Sequence, residues 1–280
     1  MNKGLTLEQR AHNAIGSQTC EDYKGQHAYL HAIMYCREEF DVFWHKSDNT
    51  TWCHQFGRMV GWDENYYNHV THTETSMSAV RAMSMKKYNI LGGHDLRSVT
   101  GSGIHVLCSD VIEVAEDGMS IRSSYLTPGT FTSPVGFDMD YKGGSWLWER
   151  YGSEFVFVDG EWKWFHEDVC PDLMSKYDRA NWAHERYVDY VEGRLKIGDL
   201  GGYPDRLTEP DARPHNDYSV VQAIQDTVPP PKPYKTLDDD NTYSPGRTDP
   251  TGKVTVKTSG SQKMKWEVNP EMAHMVQKEI

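Results

Sequence analysis

The sequence predicts an α+β fold in which helices come first and a long, strongly curved antiparallel sheet follows. The residues from Leu7 to His45 carry a helical pattern, with few turn residues. From Gly103 to Asp172, three runs rich in Val, Ile, Thr and aromatic residues are separated by Glu116-Asp117-Gly118, by a loop around Pro134 to Gly144, and by Asp159-Gly160. Acidic-Gly pairs between such runs signal hairpins, because glycine supplies the positive φ that a tight turn needs.

Within the first segment, Leu30, Ile33, Met34, Phe40, Phe43 and Trp44 recur at three- and four-residue steps from Tyr29 onward, the mark of a helical face packed on a core. Gly16 and Gly25 are the expected places for a break into two helices, and Asp48-Asn49 for the end. Thr50 to Phe56 (TTWCHQF) reads as a short strand closed by Gly57. Asp63 to Lys87 returns to helical composition, with Asp63 as N-cap and Gly92-Gly93 as the stop. The stretch GIHVLCSDVIEV then opens the meander as a single strand, and two long strands meet at Asp159-Gly160. After Asp172, Tyr177 to Leu195 fits one amphipathic helix. Beyond it, VPPPKPY and DDDNTYSPG exclude helix and central strand, since proline removes a donor and fixes φ. Tyr218, Val220, Val221, Ile224, Tyr234, Leu237, Tyr243, Val254, Val256, Trp266 and Val268 nevertheless supply anchors throughout. Residues 1–204 are therefore expected to form one domain. Residues 205–280 are expected to form an extended arm on the chain's own surface or a neighbour's, which points to a homo-oligomer, a dimer or trimer.

Composition narrows the class of protein. Of 280 residues, 38% are hydrophobic and 12% aromatic, enough for a packed core. No apolar run approaches the roughly 20 residues that span a bilayer, and MNKGLTLEQRAHNAIG lacks the apolar core of a signal peptide, so a soluble cytoplasmic protein without a membrane partner is expected. A net charge of −12 without a basic stripe argues against a nucleic-acid partner. The five cysteines are scattered, never as C-x-x-C, and read as reduced thiols. Among the thirteen histidines, His27/His31 and His69/His72 have helical metal-ligand spacing, but neither pair has a clear third ligand and HExxH is absent. GSGIH lacks the strand-to-helix context of a phosphate loop. Neither a metal nor an organic cofactor is expected.

Helices before a bent sheet whose last hairpin reads FVDGEWKWF resemble the nuclear transport factor 2-like cone, in particular its SnoaL-like branch, over Leu7 to Leu173. The resemblance implies a helix lying across the concave face of the sheet and an apolar cavity. Relatives use that cavity as cyclases, dehydratases, isomerases, lyases or binding modules, so fold alone does not fix the reaction. In TTWCHQFG, the threonine and glycine match the first strand of ketosteroid isomerase relatives, and His54 falls where those enzymes carry their aspartate base. His105 matches a histidine of scytalone dehydratase relatives, and strand alternation groups it with Leu107 and Val111 on a mostly apolar side. Tyr151 and Glu149 take the places where the dehydratases carry an asparagine and a serine that grip substrate. Burial would raise the pKa of Glu149, whose bland alternative is an ion pair with Arg122 or Arg150.

Tyr29, His31 and Tyr35 lie on the helix that crosses the cavity, with one of them expected to point inward. Tyr125 belongs to the expected wall. The final strand offers either Glu167 with Phe165, or His166 with Trp162 and Trp164. The implied function is a cofactor-independent lyase, dehydratase or isomerase that transfers protons on a small hydrophobic, aromatic substrate, with His54 or His105 as base and Tyr29, Glu149 or Tyr151 as partner. Lignin-derived diaryl compounds are one class that the resemblance suggests. The alternative is a non-catalytic ligand-binding or oligomeric interaction protein. For the arm, deleting residues 205–280 is expected to lower both the number of subunits per particle in solution and the melting temperature; unchanged values would contradict it.

Overall fold

The computed structural model describes residues 4–32, 35–54, 57–72, 102–133, 143–176, 209–210 and 228–238. Helix α1 spans Leu7–Ala32 and starts on a reciprocal cap. The Gln9 amide donates to Thr6 Oγ1 at 3.2 Å and the Thr6 amide to Gln9 Oε1 at 2.9 Å, which satisfies two N-terminal donors. The helix runs unbroken through Gly16 and Gly25, and the break falls after Ala32, before α2 (Cys36–Phe43). Gly16 serves close packing instead. A Cβ there would stand 2.7 Å from the Trp162 ring and 2.9 Å from Ile121, so glycine lets α1 lie against the sheet.

Strands β1 (Thr51–His54) and β2 (Gly57–Val60) form a hairpin, so Gly57 opens a strand instead of ending one. Helix α3 (Trp62–Tyr66) begins after Gly61, at φ 91°, and passes into a π-helical turn at Tyr67–His72. Asp63 therefore sits in the first turn and is not the cap. The remainder of the expected helix to Lys87, the 177–195 helix and most of the arm lie outside the described residues.

The meander comprises β3 (Ser102–His105), β4 (Cys108–Val114), β5 (Ser120–Ser133), β6 (Gly143–Val158) and β7 (Glu161–Lys176). GIHVLCSDVIEV is thus two strands, both paired with β5, and a register shift falls between Cys108 and Val111. Alternation from His105 does not carry through that break: Val111 is exposed, whereas Leu107 packs against the core. Asp159 and Gly160 both have positive φ, 53° and 84°, as a type I′ hairpin turn requires. Among the described residues the order is β3-β5-β6-β7-β1-β2-β8, with β8 the short bridge Glu209–Pro210 and β1 parallel to β7. The α+β class and the order of its elements are those predicted.

The register gives the sheet two distinct faces. On the inner face stand the rows Ile121–Phe155–Trp164, Ser123–Ser153–Glu167 and Tyr125–Tyr151–Val169. Helix α1 crosses these rows with Gly16, Cys20, Lys24 and His27, its buried stripe at helical spacing. Phe40 stacks on Trp44 at 4.9 Å and Trp44 on Trp164 at 5.4 Å, which extends the aromatic core toward β1 and β7. On the outer face Arg122, Glu154 and His166 form a buried ladder, with Nε–Oε1 at 2.8 Å and Oε2–Nδ1 at 2.6 Å. Residues 228–238 cover it. Tyr234 lies under the Arg122 guanidinium at 4.0 Å, its hydroxyl is 3.1 Å from Ser120 Oγ, and Arg122 donates to the Leu237 carbonyl.

The two helical glycines give a paired test. Gly25 has nothing within 4 Å of a built Cβ. Gly25→Ala should therefore stabilise by about 0.5–1 kcal/mol. Gly16→Ala should destabilise by about 1–3 kcal/mol because Trp162 and Ile121 must give way. Chemical denaturation measures both, and equal shifts would contradict the close approach of α1.

Candidate active site

The inner face buries ionisable groups among aromatic rings. Glu167 has no exposure and its carboxylate is surrounded by donors: Ser153 Oγ at 2.6 Å and Trp164 Nε1 at 2.7 Å, both to Oε2, and the Tyr125 hydroxyl at 3.2 Å to Oε1. Ser153 Oγ is also 3.1 Å from the Tyr125 hydroxyl. Burial pushes the Glu167 pKa well above the carboxylate range, against the opposing pull of those three donors. Tyr125 is likewise raised, first by burial and then by the nearby Glu167 charge.

Trp164 and Glu167, three residues apart, cannot share a face on a regular strand. They do so here because the register shifts between Glu154 and Phe155: Phe155 pairs with Trp164, Glu154 with His166, and Phe165 is the extra residue. The bulge resolves the two options that the last strand offered. Glu167 faces inward with Trp162 and Trp164, while His166 turns to the outer face, held by Glu154 and, through Nε2, by the Asn49 carbonyl at 3.1 Å. Phe165 stacks on His166 at 3.9 Å.

A second polar group approaches from the helices. His27 Nδ1 donates to Glu39 Oε1 at 2.9 Å, and Trp44 Nε1 donates to the same oxygen at 3.2 Å. The His27 ring centroid lies 5.5 Å from that of Trp164 and 6.1 Å from that of Tyr151. His69, from the π-helical turn, stacks on Phe40 and lies 3.8 Å from Trp52. Burial lowers its pKa to about 4 although its ring is bonded to the Asn65 carbonyl. Trp52 pairs with Glu167 across β1 and β7, and its buried Nε1–H has no hydrogen-bond partner among the described residues. Lys24 is bound to Asp110 at 2.6 Å and reaches over the Tyr125 ring at 4.9 Å. Burial pushes the Cys20 thiol up to about 12, which makes it unreactive.

Of the residues singled out in the sequence, Tyr125, Tyr151, Glu149 and Glu167 are buried on the inner face or beside it. Burial raises the Tyr151 pKa, and the Glu149 carboxylate raises it further. Arg122, one of the partners considered for Glu149, pairs with Glu154. Tyr29 is 79% exposed and points away from the interior, because the buried stripe of α1 passes through His27 and not through residue 29. His31 stacks on His27 at 5.2 Å; Tyr35 sits half-buried at the start of α2. The backbones of His54 and His105 are placed opposite Gly57 and Gly129, on β1 and β3; their side chains lie outside the described atoms. Among the described residues, no group of three or more His, Cys, Asp and Glu converges as metal ligands. No described helix is long and apolar enough to cross a membrane.

Four residues at the centre of this arrangement were missed or misread in the sequence. Lys24 and His27 are polar positions on a buried stripe, so apolar periodicity did not reveal them. Ser153 and Trp164 meet Glu167 only through strand register and the bulge.

No family model matches the chain, and no curated protein matches it. Solved structures similar to it include a scytalone dehydratase-like protein from Novosphingobium aromaticivorans, at 10% identity and a TM-score of 0.43, covering 61% of this chain and 93% of that one. Others are hexachlorocyclohexane dehydrochlorinase LinA-type3 from Novosphingobium barchaimii (10% identity, TM-score 0.38, 59% and 93%) and a nuclear transport factor 2-like superfamily protein from Salmonella enterica (13% identity, TM-score 0.36, 61% and 97%). The element order and the helix lying across the inner face of β5–β7 are those of the α+β cone expected from the sequence.

The two displaced pKa values set opposite pH dependences. The fold holds Glu167 neutral above its ordinary 4.5, so the unfolded chain binds fewer protons there and stability falls as pH rises from that value. His69 is held neutral from 6.5 down to about 4, so its contribution is full above 6.5 and is lost as pH falls through that window. Relative to wild type, Glu167→Gln should flatten the decline at higher pH and His69→Gln the one at lower pH, each slope reaching at most about 1.4 kcal/mol per pH unit. Denaturation across pH 4 to 8 checks both, and parallel curves for wild type and variant would contradict the assignment.

Proposed function

We propose that this protein is a cofactor-independent enzyme that moves protons on a small hydrophobic, aromatic substrate, in an elimination, isomerisation or C–C cleavage. The observation that carries the reading is the carboxyl of Glu167, completely buried among aromatic rings, hydrogen-bonded to Ser153, Tyr125 and Trp164, and with a pKa that burial pushes well above the carboxylate range. A carboxyl with a raised pKa can donate a proton at neutral pH, which an ordinary surface glutamate cannot. His27, oriented by Glu39, stands on the other side of Trp164 as the complementary base. Its Nδ1 carries the proton given to Glu39, which fixes the tautomer. The unsatisfied Trp52 N–H, beside Glu167 in the register, suits an oxygen of the substrate and favours an aromatic alcohol, ether or ketone. Tyr151, Phe155 and Trp164 supply the apolar wall. His54 and His105, on strands at opposite sides of β5–β7, remain the sequence-derived candidates for further proton transfer.

The test is turnover of a panel of small aryl alcohols, ethers and ketones, including diaryl compounds, followed by loss of water or formaldehyde and by deuterium incorporation. Glu167→Gln and His27→Gln should each lower turnover by about 10²- to 10⁴-fold with near-UV circular dichroism unchanged, and the exposed Lys46→Ala should not. Binding of these compounds without turnover by the wild-type protein would favour a ligand-binding module. Full activity in the Glu167, His27, His54 and His105 variants together would overturn the acid–base reading.

A further inference from the structure

Glu167, Ser153 and Tyr125 close a ring of three oxygen–oxygen contacts: Glu167 Oε1 to the Tyr125 hydroxyl at 3.2 Å, that hydroxyl to Ser153 Oγ at 3.1 Å, and Ser153 Oγ to Glu167 Oε2 at 2.6 Å. Each contact needs one hydrogen. The two hydroxyls carry one each, so a charged carboxylate leaves one side of the ring empty and a neutral carboxyl fills all three. Tyr125 donates to Oε1 and Ser153 to Tyr125, which marks Oε1 as the carbonyl end and Oε2 as the oxygen that holds the acid proton; Trp164 adds an N–H to Oε2 at 2.7 Å.

We infer that this ring is a proton switch in which the Ser153 hydroxyl turns between two acceptors, Tyr125 and Oε2, as Glu167 gives up and regains its proton. In the neutral state Oε2–H donates to Ser153, Ser153 to Tyr125, and Tyr125 to Oε1. When Glu167 releases its proton to the substrate, the carboxylate keeps the electron pair and the Ser153 hydrogen swings from Tyr125 to Oε2. Tyr125, Ser153 and Trp164 then all donate to the carboxylate. One hydrogen rotates and no heavy atom moves. Both states find their partners already placed, so the reorganisation that burial would otherwise make costly is small. Tyr125 donates to Oε1 throughout and is the positioning residue that holds the carboxyl in register; Ser153 is the switch. All three side chains are buried on one row or adjacent rows of β5, β6 and β7, so the strand pairing itself sets the ring.

The consequence for catalysis rests on the acid role proposed for Glu167, but the ring can be tested without a substrate. Difference infrared spectra of the full chain at neutral pH, wild type against Glu167→Gln, isolate the carbonyl stretch of the neutral acid. Tyr125→Phe removes the donor on the carbonyl oxygen Oε1 and should raise that frequency. Ser153→Ala opens the ring at Oε2 and should also move it, while Ser153→Thr, which keeps the hydroxyl, should leave the wild-type position in place. If Ser153→Ala does not fold, Tyr125→Phe decides. The inference is overturned by the lack of a neutral-acid band that Glu167→Gln removes, or by a band that Ser153→Ala and Tyr125→Phe leave in place. A band that responds as expected in a protein with no turnover would keep the ring and discard the enzymatic reading.

Discussion

The interior of this protein depends on keeping a carboxyl group away from water. An unpartnered polar group in such a place costs several kcal/mol, roughly 2–7 depending on reference state, so Glu167 is tolerable only where donors are already fixed around it. Each donor comes from a different strand or a different turn of the pleat: Tyr125 from β5, Ser153 from β6, and Trp164 from β7 itself. Closing the interior then requires α1 to lie directly on these rows. Gly16 permits that approach at one end, and at the other His27 meets Glu39 and Trp44, which ties α1 to α2.

The outer face supports the same registration. Arg122, Glu154 and His166 alternate with Ser123, Ser153 and Glu167 along the three strands, so the outer ladder and the inner row are set by one register. Removing one member of a buried ion pair typically costs about 3–5 kcal/mol, because the other charge is left without compensation. The segment 228–238 seals the ladder, with Tyr234 against Arg122 and backbone bonds from Glu116 and Asp117 to Tyr234 and Lys235. A polar, proline-rich stretch far along the sequence thereby contributes to the geometry of a site on the opposite face.

How much of this was legible in the sequence follows from what each signal measures. The Asp159-Gly160 turn and the long β-branched and aromatic runs are local, and they located β6 and β7. The α1 cap at Thr6 and Gln9 is also local, a Ser/Thr-x-x-Glu/Gln pattern, but it became evident only in the structure. The buried stripe of α1 was hidden because its members are Gly, Cys, Lys and His. Apolar periodicity from Tyr29 onward located Phe40, Phe43 and Trp44 in or against the core but did not reveal that stripe, and Tyr29 is exposed. The bulge at Phe165 hid the pairing of Trp164 with Glu167, since alternation alone forces a choice between Glu167 and the two tryptophans. Gly16, taken as a place to break a helix, is a close-approach glycine, a role visible only once Trp162 is opposite.

The protonation state of Glu167 in the folded protein is the quantity on which the site turns. It can be measured by ¹³C NMR of protein labelled at the glutamate side-chain carboxyl carbon, with Glu167→Gln to assign the resonance and titration from pH 4 to 8. The expected result is a carboxyl signal that stays at the neutral-acid position through pH 7. A signal that moves to the carboxylate position with a midpoint near the ordinary glutamate value would contradict a proton donor at this place.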